Sequence, residues 1–480
     1  MSFFAYDDEG LARGKGPCGY EIRVRGACVN EQAIVKLDHV SRHGPVAWGR
    51  IQEMLISSPD RVKPLCRRSS RCGGCPWMHL KYESQIREKT GRLQSIFSAM
   101  DTSSVQPGIH IETAHSKSTR HYRNRGKYVL AHKRNQLIVG GYIPRSHRVI
   151  STLGCPVVET PVDSTARIAA RHISTLDKSA IYDEKTRKGL LRYIGVRANY
   201  KGRVLLTLVA SAGNDAMLNP LAEALIKRCP DLVGVTLDIN DTPGNVIFSG
   251  RTLTLAGEDS IGERFGSARV NLKGENFAQV NRHTAEAMYE FAVREIQLRT
   301  RTRKSESAER KDISNDKSGP VLWDLFSGPG AFSIQMAQQG FQVLGVELDP
   351  SSVESARESA VFCGKNVLPP LFLQADANTC VSEALAAMPD PDAVVVNPPR
   401  AGCRPELLDD LAALQSSPFI LYVSCNPESL ARDIVYLAGR GYVLTSLKGF
   451  DMLPHTPHME VVALLQKQNA KTAETAKKTT

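Results

Sequence analysis

No apolar run in this 480-residue chain approaches the roughly 20 residues needed to cross a bilayer, so a membrane-spanning protein is not expected. The opening residues, Met1-Ser2-Phe3-Phe4-Ala5-Tyr6-Asp7-Asp8, lack a basic stretch leading into an apolar core, and no signal peptide is expected there. Eleven cysteines make an odd count in a chain this long, which argues against a secreted disulfide framework. No repeat period is visible. What is present is ordinary globular composition. Apolar residues make up 42%, which excludes disorder and collagen-like architectures. The length suggests about three domains. A cytoplasmic, multi-domain monomer without membrane partners is expected.

The charge is unevenly placed. Lys and Arg total 61 against 50 Asp and Glu, for a net +11. Residues 61–150 hold 18 basic and 4 acidic side chains, whereas residues 321–467 hold 8 and 16. A basic block beside an acidic one is what a polyanion-binding region attached to a catalytic domain looks like. The block also carries Trp77, His79, Tyr82, Tyr122, Tyr128 and Tyr142, rings available to stack on bases or simply to fill a core.

Punctuation along the chain divides it. Residues 1–63 read as a small β-barrel, OB-like, with strands Glu21–Val29, Ala33–Val40 and Val46–Leu55 and a Gly44-Pro45 break. Residues 64–298 mix helices and strands as a central α+β domain. Residues 299–319 have almost no apolar side chains and read as a polar linker, and residues 468–480 as a disordered tail. Residues 320–467 turn α/β. The unbroken apolar runs Val321–Phe326, Gln342–Val346, Leu371–Gln374, Ala393–Val396 and Phe419–Val423 predict a doubly wound parallel sheet buried on both faces.

In such sheets ligands bind beyond the carboxyl ends of the strands. Those ends read Asp324-Leu325-Phe326, Glu347, Asp376, Asn397 and Cys425. The first strand runs into Ser327-Gly328-Pro329-Gly330, a glycine turn opening a helix. Glu347 follows Gly328 by 19 residues, a position suited to accepting ribose hydroxyls. Ser333 stands where a dinucleotide fingerprint has its third glycine. That disfavours a pyrophosphate cofactor and favours a phosphate-free nucleoside such as S-adenosylmethionine. Cys425, at a strand end facing this cleft, is a candidate nucleophile. Glu460, just before the run Val461–Leu465, is a candidate base. His455 and His458 lack a third ligand nearby and read as structural.

A second constellation is Cys66-x5-Cys72-Gly73-Gly74-Cys75, three thiols on a loop that two glycines allow to wrap tightly. No second CxxC pair follows, as zinc knuckles require. Three clustered cysteines and one distant partner suit a 4Fe–4S cluster, with Cys155 in Gly154-Cys155-Pro156 as the fourth thiolate. The spacing points to metal more firmly than to which metal.

Read together, Tyr122-Arg123-Asn124-Arg125, Phe277-Ala278-Gln279-Val280-Asn281, Asp324-Leu325-Phe326-Ser327-Gly328, Asn397-Pro398-Pro399-Arg400-Ala401-Gly402, Ser424-Cys425-Asn426-Pro427 and His458-Met459-Glu460 resemble the RNA uridine-5-methyltransferase family. The resemblance covers nearly the whole chain. It implies an N-terminal TRAM domain that binds RNA, a 4Fe–4S cluster on Cys66, Cys72, Cys75 and Cys155, and a C-terminal class I methyltransferase domain with a Rossmann-like sheet. It also implies that Gln279, Phe326, Glu347, Asp376 and Asn397 contact S-adenosylmethionine or the target base, with Cys425 the nucleophile and Glu460 the base. Asn397 stands where many members have Asp, Ser327 where the family has Cys, and Ala278 where an aromatic is frequent. The expected substrate is 23S ribosomal RNA. Transfer RNA, or a catalytically silent RNA-binding role, is the alternative.

Overall fold

Apolar runs bounded by turns build the C-terminal sheet. Its strands are β1 (Val321–Leu325), β2 (Gln342–Glu347), β3 (Leu371–Gln374), β4 (Ala393–Val396), β5 (Phe419–Ser424), β6 (Tyr442–Phe450) and β7 (Glu460–Lys467). They lie in the order β3-β2-β1-β4-β5-β7-β6, and the short strand Glu112–Ala114 adds an eighth beside β6. β1 to β5 pair in parallel, while β7 runs antiparallel to both neighbours. Every residue of β1, β4 and β5 is buried, because separate apolar cores cover the two faces of the sheet. The structure, a computed structural model, describes the chain except residues 102–103, 134–135, 243, 245, 251, 309–318 and 469–480.

Two strands of this sheet were not legible in the sequence. β6 carries Thr445, Ser446, Lys448 and Gly449, which break the apolar run. Glu112–Ala114 has three residues and exists only because a distant strand edge receives it in parallel. Helix Tyr82–Ser98 is displaced in the same way from where its sequence position puts it. Leu93 and Phe97 on its apolar face enter the C-terminal core, and Arg92 reaches Glu428 at 2.7 Å. The stretch expected as one central domain is therefore shared in packing between two bodies.

The remainder of that stretch forms a seven-stranded sheet in the order Thr252–Gly257, Leu232–Ile239, Val204–Ala210, Leu191–Ala198, Arg125–Lys133, Gln136–Tyr142, Val149–Ser151. Helices Thr160–Ile173 and Asp215–Arg228 cover one face and share its core with Leu130, Val139, Ile194 and Leu208. At the N-terminus five strands, Phe3–Tyr6, Ala12–Lys15, Glu21–Val24, Gln32–Val40 and Val46–Ile56, pair in one sheet. Phe3 N–H donates to Glu31 O, Asn30 N–H to Phe3 O and Ala33 N–H to Met1 O, joining the first strand to the fourth. The two leading strands add to the three read from sequence.

One expectation needs correction. Helix Arg282–Ala308 continues through residues 299–308, the first part of the expected linker. That run has no Gly or Pro to stop a helix already nucleated by the buried residues Ala285, Met288, Ala292 and Ile296. Residues 309–318 and the tail from 469 lie outside the described residues.

A buried ion pair fastens helix Tyr82–Ser98 to the chain between β6 and β7. Lys89 and Asp451 are both fully buried and bonded to one another, and Tyr82 Oη donates to Asp451 Oδ2 at 2.8 Å. Lys89 Nζ also donates to His458 O at 2.9 Å. Lys89→Met leaves the buried Asp451 carboxylate without its countercharge and should cost about 3–5 kcal/mol in denaturant unfolding. Lys89→Met/Asp451→Leu should recover most of that loss.

Candidate active site

The turn after β1 is shaped by its backbone. Phe326 sits at φ 63, a left-handed conformation that costs a non-glycine residue about 1–2 kcal/mol. Gly328 and Gly330 follow at φ 54 and 80. A Cβ on Gly330 would come within 2.7 Å of Phe372 Cζ and 3.0 Å of Ala356 Cβ, so only glycine lets this turn lie against the β2–β3 side of the sheet. The Glu347 carboxylate accepts the N–H of Gly328 and that of Asp349, each at 2.9 Å, tying the ends of β1 and β2 together.

These constraints open a cavity lined by Phe265, Gln279, Tyr289, Asp324, Phe326 and Asn397, among others. Asp324 is buried beneath it and accepts from Ser333 Oγ at 2.5 Å; burial pushes its carboxyl up to about 7. Ser327 Oγ is buried there without a hydrogen-bond partner among the described residues. Of the cofactor residues expected from sequence, Gln279, Phe326 and Asn397 line this cavity, and Glu347 adjoins it through Gly328. Asp376 lies outside its lining, at the end of β3. It accepts Asn378 N–H at 2.9 Å and faces Arg404 at 3.6 Å, contacts that hold its carboxyl below the usual range.

Antiparallel pairing of β5 with β7 sets the second half of the site. Ser424 is in register with Val461, so Cys425 and Glu460 fall opposite one another at the adjoining strand ends. Glu460 is almost wholly buried. Burial drives its carboxyl up to about 7, against the opposing pull of a Gln279 hydrogen bond and the Arg400 charge. Gln279 thus joins the cavity to the carboxyl. Cys425 is half-buried, and burial together with nearby Glu460 raises its thiol, while Arg400, which hydrogen-bonds to it, draws it down. Arg400 Nη2 in turn lies 3.2 Å from His458 Nδ1. In the sequence Arg400 stands out only as part of the motif Asn397-Pro398-Pro399-Arg400-Ala401-Gly402. Its position against the thiol comes from the turn after β4.

Cys425, Arg400 and His458 open into a cleft of about 470 Å³, whose far wall is Arg25 and the Gly73-Gly74 turn between the clustered cysteines. Gly73 is at φ 73, and a Cβ there would meet Pro144 Cγ at 2.2 Å. Cys66, Cys72, Cys75 and Cys155 are free and incompletely buried, and Cys75 lies within electrostatic reach of the other three. Burial, first of all, pushes the Cys75 thiol up to about 12. Among the described residues no three His, Cys, Asp or Glu side chains close around a single metal ion. Four cysteine sulfurs drawn toward one another are a soft donor set, the chemical type that iron–sulfur clusters and zinc both take.

Comparison with known proteins bears on this site. Residues 389–468, which include Asn397, Cys425 and Glu460, match the family model described as tRNA (Uracil-5-)-methyltransferase. An uncharacterized RNA methyltransferase of Gloeobacter violaceus is 30% identical over 97% of this chain and 95% of its own length. The chain belongs to the RNA uridine-5-methyltransferase family. An uncharacterized RNA methyltransferase of Oceanobacillus iheyensis is 28% identical over 93% of this chain and 92% of its own. The solved structure of the Pyrococcus abyssi tRNA (uracil-54, C5)-methyltransferase, in complex with S-adenosyl-L-homocysteine, superposes with a TM-score of 0.72. It is 25% identical and covers 97% of this chain and 98% of that one. The protein is an S-adenosylmethionine-dependent RNA uracil-5-methyltransferase, and its C-terminal domain has the Rossmann-like fold of that class. Among the described residues no helix is long and apolar enough to cross a membrane.

In this methyltransferase the β1 turn is the feature most exposed to a small change. Gly330→Ala should weaken S-adenosylhomocysteine binding at least tenfold in calorimetry, since the added methyl must displace Phe372 or the turn itself. Gly328→Ala meets no atom within 4 Å and carries only the cost of its positive φ, so its loss should be smaller.

Proposed function

We propose that this enzyme methylates one uridine of 23S ribosomal RNA through a covalent Cys425–uracil adduct. The pairing of β5 and β7, which sets a thiol and a buried carboxyl side by side with the carboxyl tied through Gln279 to the donor cavity, carries the reading. S-adenosylmethionine supplies an electrophilic methyl, and Gln279, Phe326, Glu347 and Asn397 are the residues placed to hold it or the base, with Asp376 further along the strand ends. Carbon 5 of uracil is too weak a nucleophile to take that methyl unaided. The Cys425 thiolate adds to carbon 6, and the electron pair moves onto the ring as an enolate whose carbon 5 accepts the methyl, breaking the sulfur–methyl bond and releasing S-adenosylhomocysteine. Glu460 removes the carbon 5 proton, the ring double bond re-forms, and the thiolate leaves. Arg400 beside the sulfur favours its anionic form. The uridine must leave its stack to reach the thiol, so single-stranded loops are the expected targets. The N-terminal sheet, read as a TRAM barrel, and the basic block grip the flanking RNA.

Cys66, Cys72, Cys75 and Cys155 are the residues that would hold a 4Fe–4S cluster, which would fix the loop forming the cleft's far wall. Anaerobically purified protein should then contain iron and inorganic sulfide and absorb in the visible. Cys72→Ser should lower iron content and RNA affinity together. Unchanged RNA affinity in an iron-free variant would overturn the positioning role.

The likeness to a transfer RNA enzyme in the solved structure favours transfer RNA as the second reading. Incubation with methyl-labelled S-adenosylmethionine and separate ribosomal and transfer RNA fractions from cells lacking the activity decides between them. 5-Methyluridine in one fraction names the substrate. Donor binding with no label in either supports the silent RNA-binding alternative. Cys425→Ala should abolish turnover yet bind the donor, and Glu460→Gln should accumulate a denaturation-resistant protein–RNA adduct. Glu460 must be ionised to accept a proton and carries its own proton below about pH 7, so adduct breakdown should slow on the acid side of that value. A pH-independent breakdown rate would assign the proton to another base.

A further inference from the structure

A second cleft, of about 410 Å³, lies on the central sheet. Its wall includes Val129, Tyr142, His147, Val149 and Tyr182, with Arg192 at its base. Val129, Tyr193, Tyr142 and Val149 pack together on the sheet face opposite the one covered by helices Thr160–Ile173 and Asp215–Arg228. The rings are held in place by their neighbours. Tyr142 and His147 are edge to face at 6.4 Å, and the guanidinium of Arg192 lies 4.8 Å from the Tyr182 ring centre, fixing that ring from beneath.

Asp183 and Glu184 also line this cleft, but every acidic side chain of segment 177–188 already has hydrogen-bond donors. Asp177 accepts Ser179 N–H, Asp183 accepts the N–H groups of Lys185 and Thr186, and Glu184 accepts from Arg192 and Tyr193. Asp183 also pairs with Lys188 across a tight turn, so Lys185, Arg187 and Lys188 are carried outward on its tip. Those three residues and Lys178 are exposed, and among the described residues none of them forms an ion pair. Rings in a cleft with unpaired cations on its rim are the combination that binds single-stranded nucleic acid, bases stacked and phosphates neutralised.

The cleft also neighbours the reaction cleft along the chain. Pro144 lines the reaction cleft, and Tyr142 and His147 line the second, on one strand and the turn that follows it. Tyr142 and Pro144 are two residues apart, about 7 Å of extended chain. Between the two clefts Arg145 projects, its guanidinium 4.7 Å from the Trp48 ring.

We propose that the central-sheet cleft is a second RNA subsite, taking an unpaired nucleotide that flanks the target uridine and setting how long a single-stranded segment the enzyme engages. The inference rests on the functional reading above and extends it to the length of the substrate. Fluorescence anisotropy with labelled oligouridylates of 4 and 12 nucleotides tests it, alongside calorimetry with S-adenosylhomocysteine. Lys185→Ala/Lys188→Ala should weaken the 12-mer at least tenfold and lower the slope of log affinity against log salt by about 1.4, two phosphate contacts' worth. It should leave the 4-mer and S-adenosylhomocysteine unaffected. His147→Ala, an exposed ring whose loss leaves the core intact, should weaken the 12-mer without changing the salt slope. Wild-type affinity for the 12-mer in both variants, or equal loss for both lengths, would overturn the subsite. Wild-type protein that binds S-adenosylhomocysteine but neither oligomer would overturn the single-stranded RNA reading, and the subsite with it.

Discussion

The Lys89–Asp451 pair is the constraint on which the active site hangs. A lysine with no exposure is held in place only because a carboxylate and two carbonyl oxygens, those of Leu453 and His458, take its protons. The segment it grips is the one that delivers His458 and Glu460. The same segment is held from the N-terminal side of the chain at three more points. Trp77 N–H donates to His455 O, Gln85 accepts His455 N–H at 2.7 Å, and Tyr122 Oη donates to Pro454 O at 3.0 Å. Without these contacts the nine residues between β6 and β7 would be an ordinary loop. With them Glu460 is presented from a rigid wall.

That arrangement couples the cysteine loop to the chemistry by a short covalent and hydrogen-bonded path. Cys75 is two residues from Trp77, and Trp77 touches the segment carrying the carboxyl. Whatever fixes the cysteine loop therefore also fixes the mouth of the reaction cleft.

The electrostatics of the site follow from burial more than from charge pairing. Asp324 and Glu460 are both pushed up to about 7 because their charged forms would sit in a dry interior, and Cys425 is raised for the same reason. Arg400 opposes this at both Cys425 and Glu460. A single guanidinium between a thiol and a carboxyl favours the anionic form of either one.

The sequence by itself determined the chemistry and the class of fold. Strands buried on both faces must be apolar, so the polar residues Glu347, Asn397 and Cys425 at or beside their carboxyl ends stand out in the sequence, whereas nothing there told that Asp376 lies outside the cavity lining. Glu460 and Gln279 were legible as parts of motifs, although nothing local said that they touch. The tertiary structure alone decided the long-range terms. It gave helix Tyr82–Ser98 to the C-terminal core, added Glu112–Ala114 to a sheet more than 300 residues away, aimed Arg400 at a thiol, and brought the cysteine loop to face Cys425 across a cleft. Periodicity and turn chemistry report only on neighbours within a few residues. Which distant surface an apolar face meets is set by packing complementarity, and no local signal in the chain encodes it.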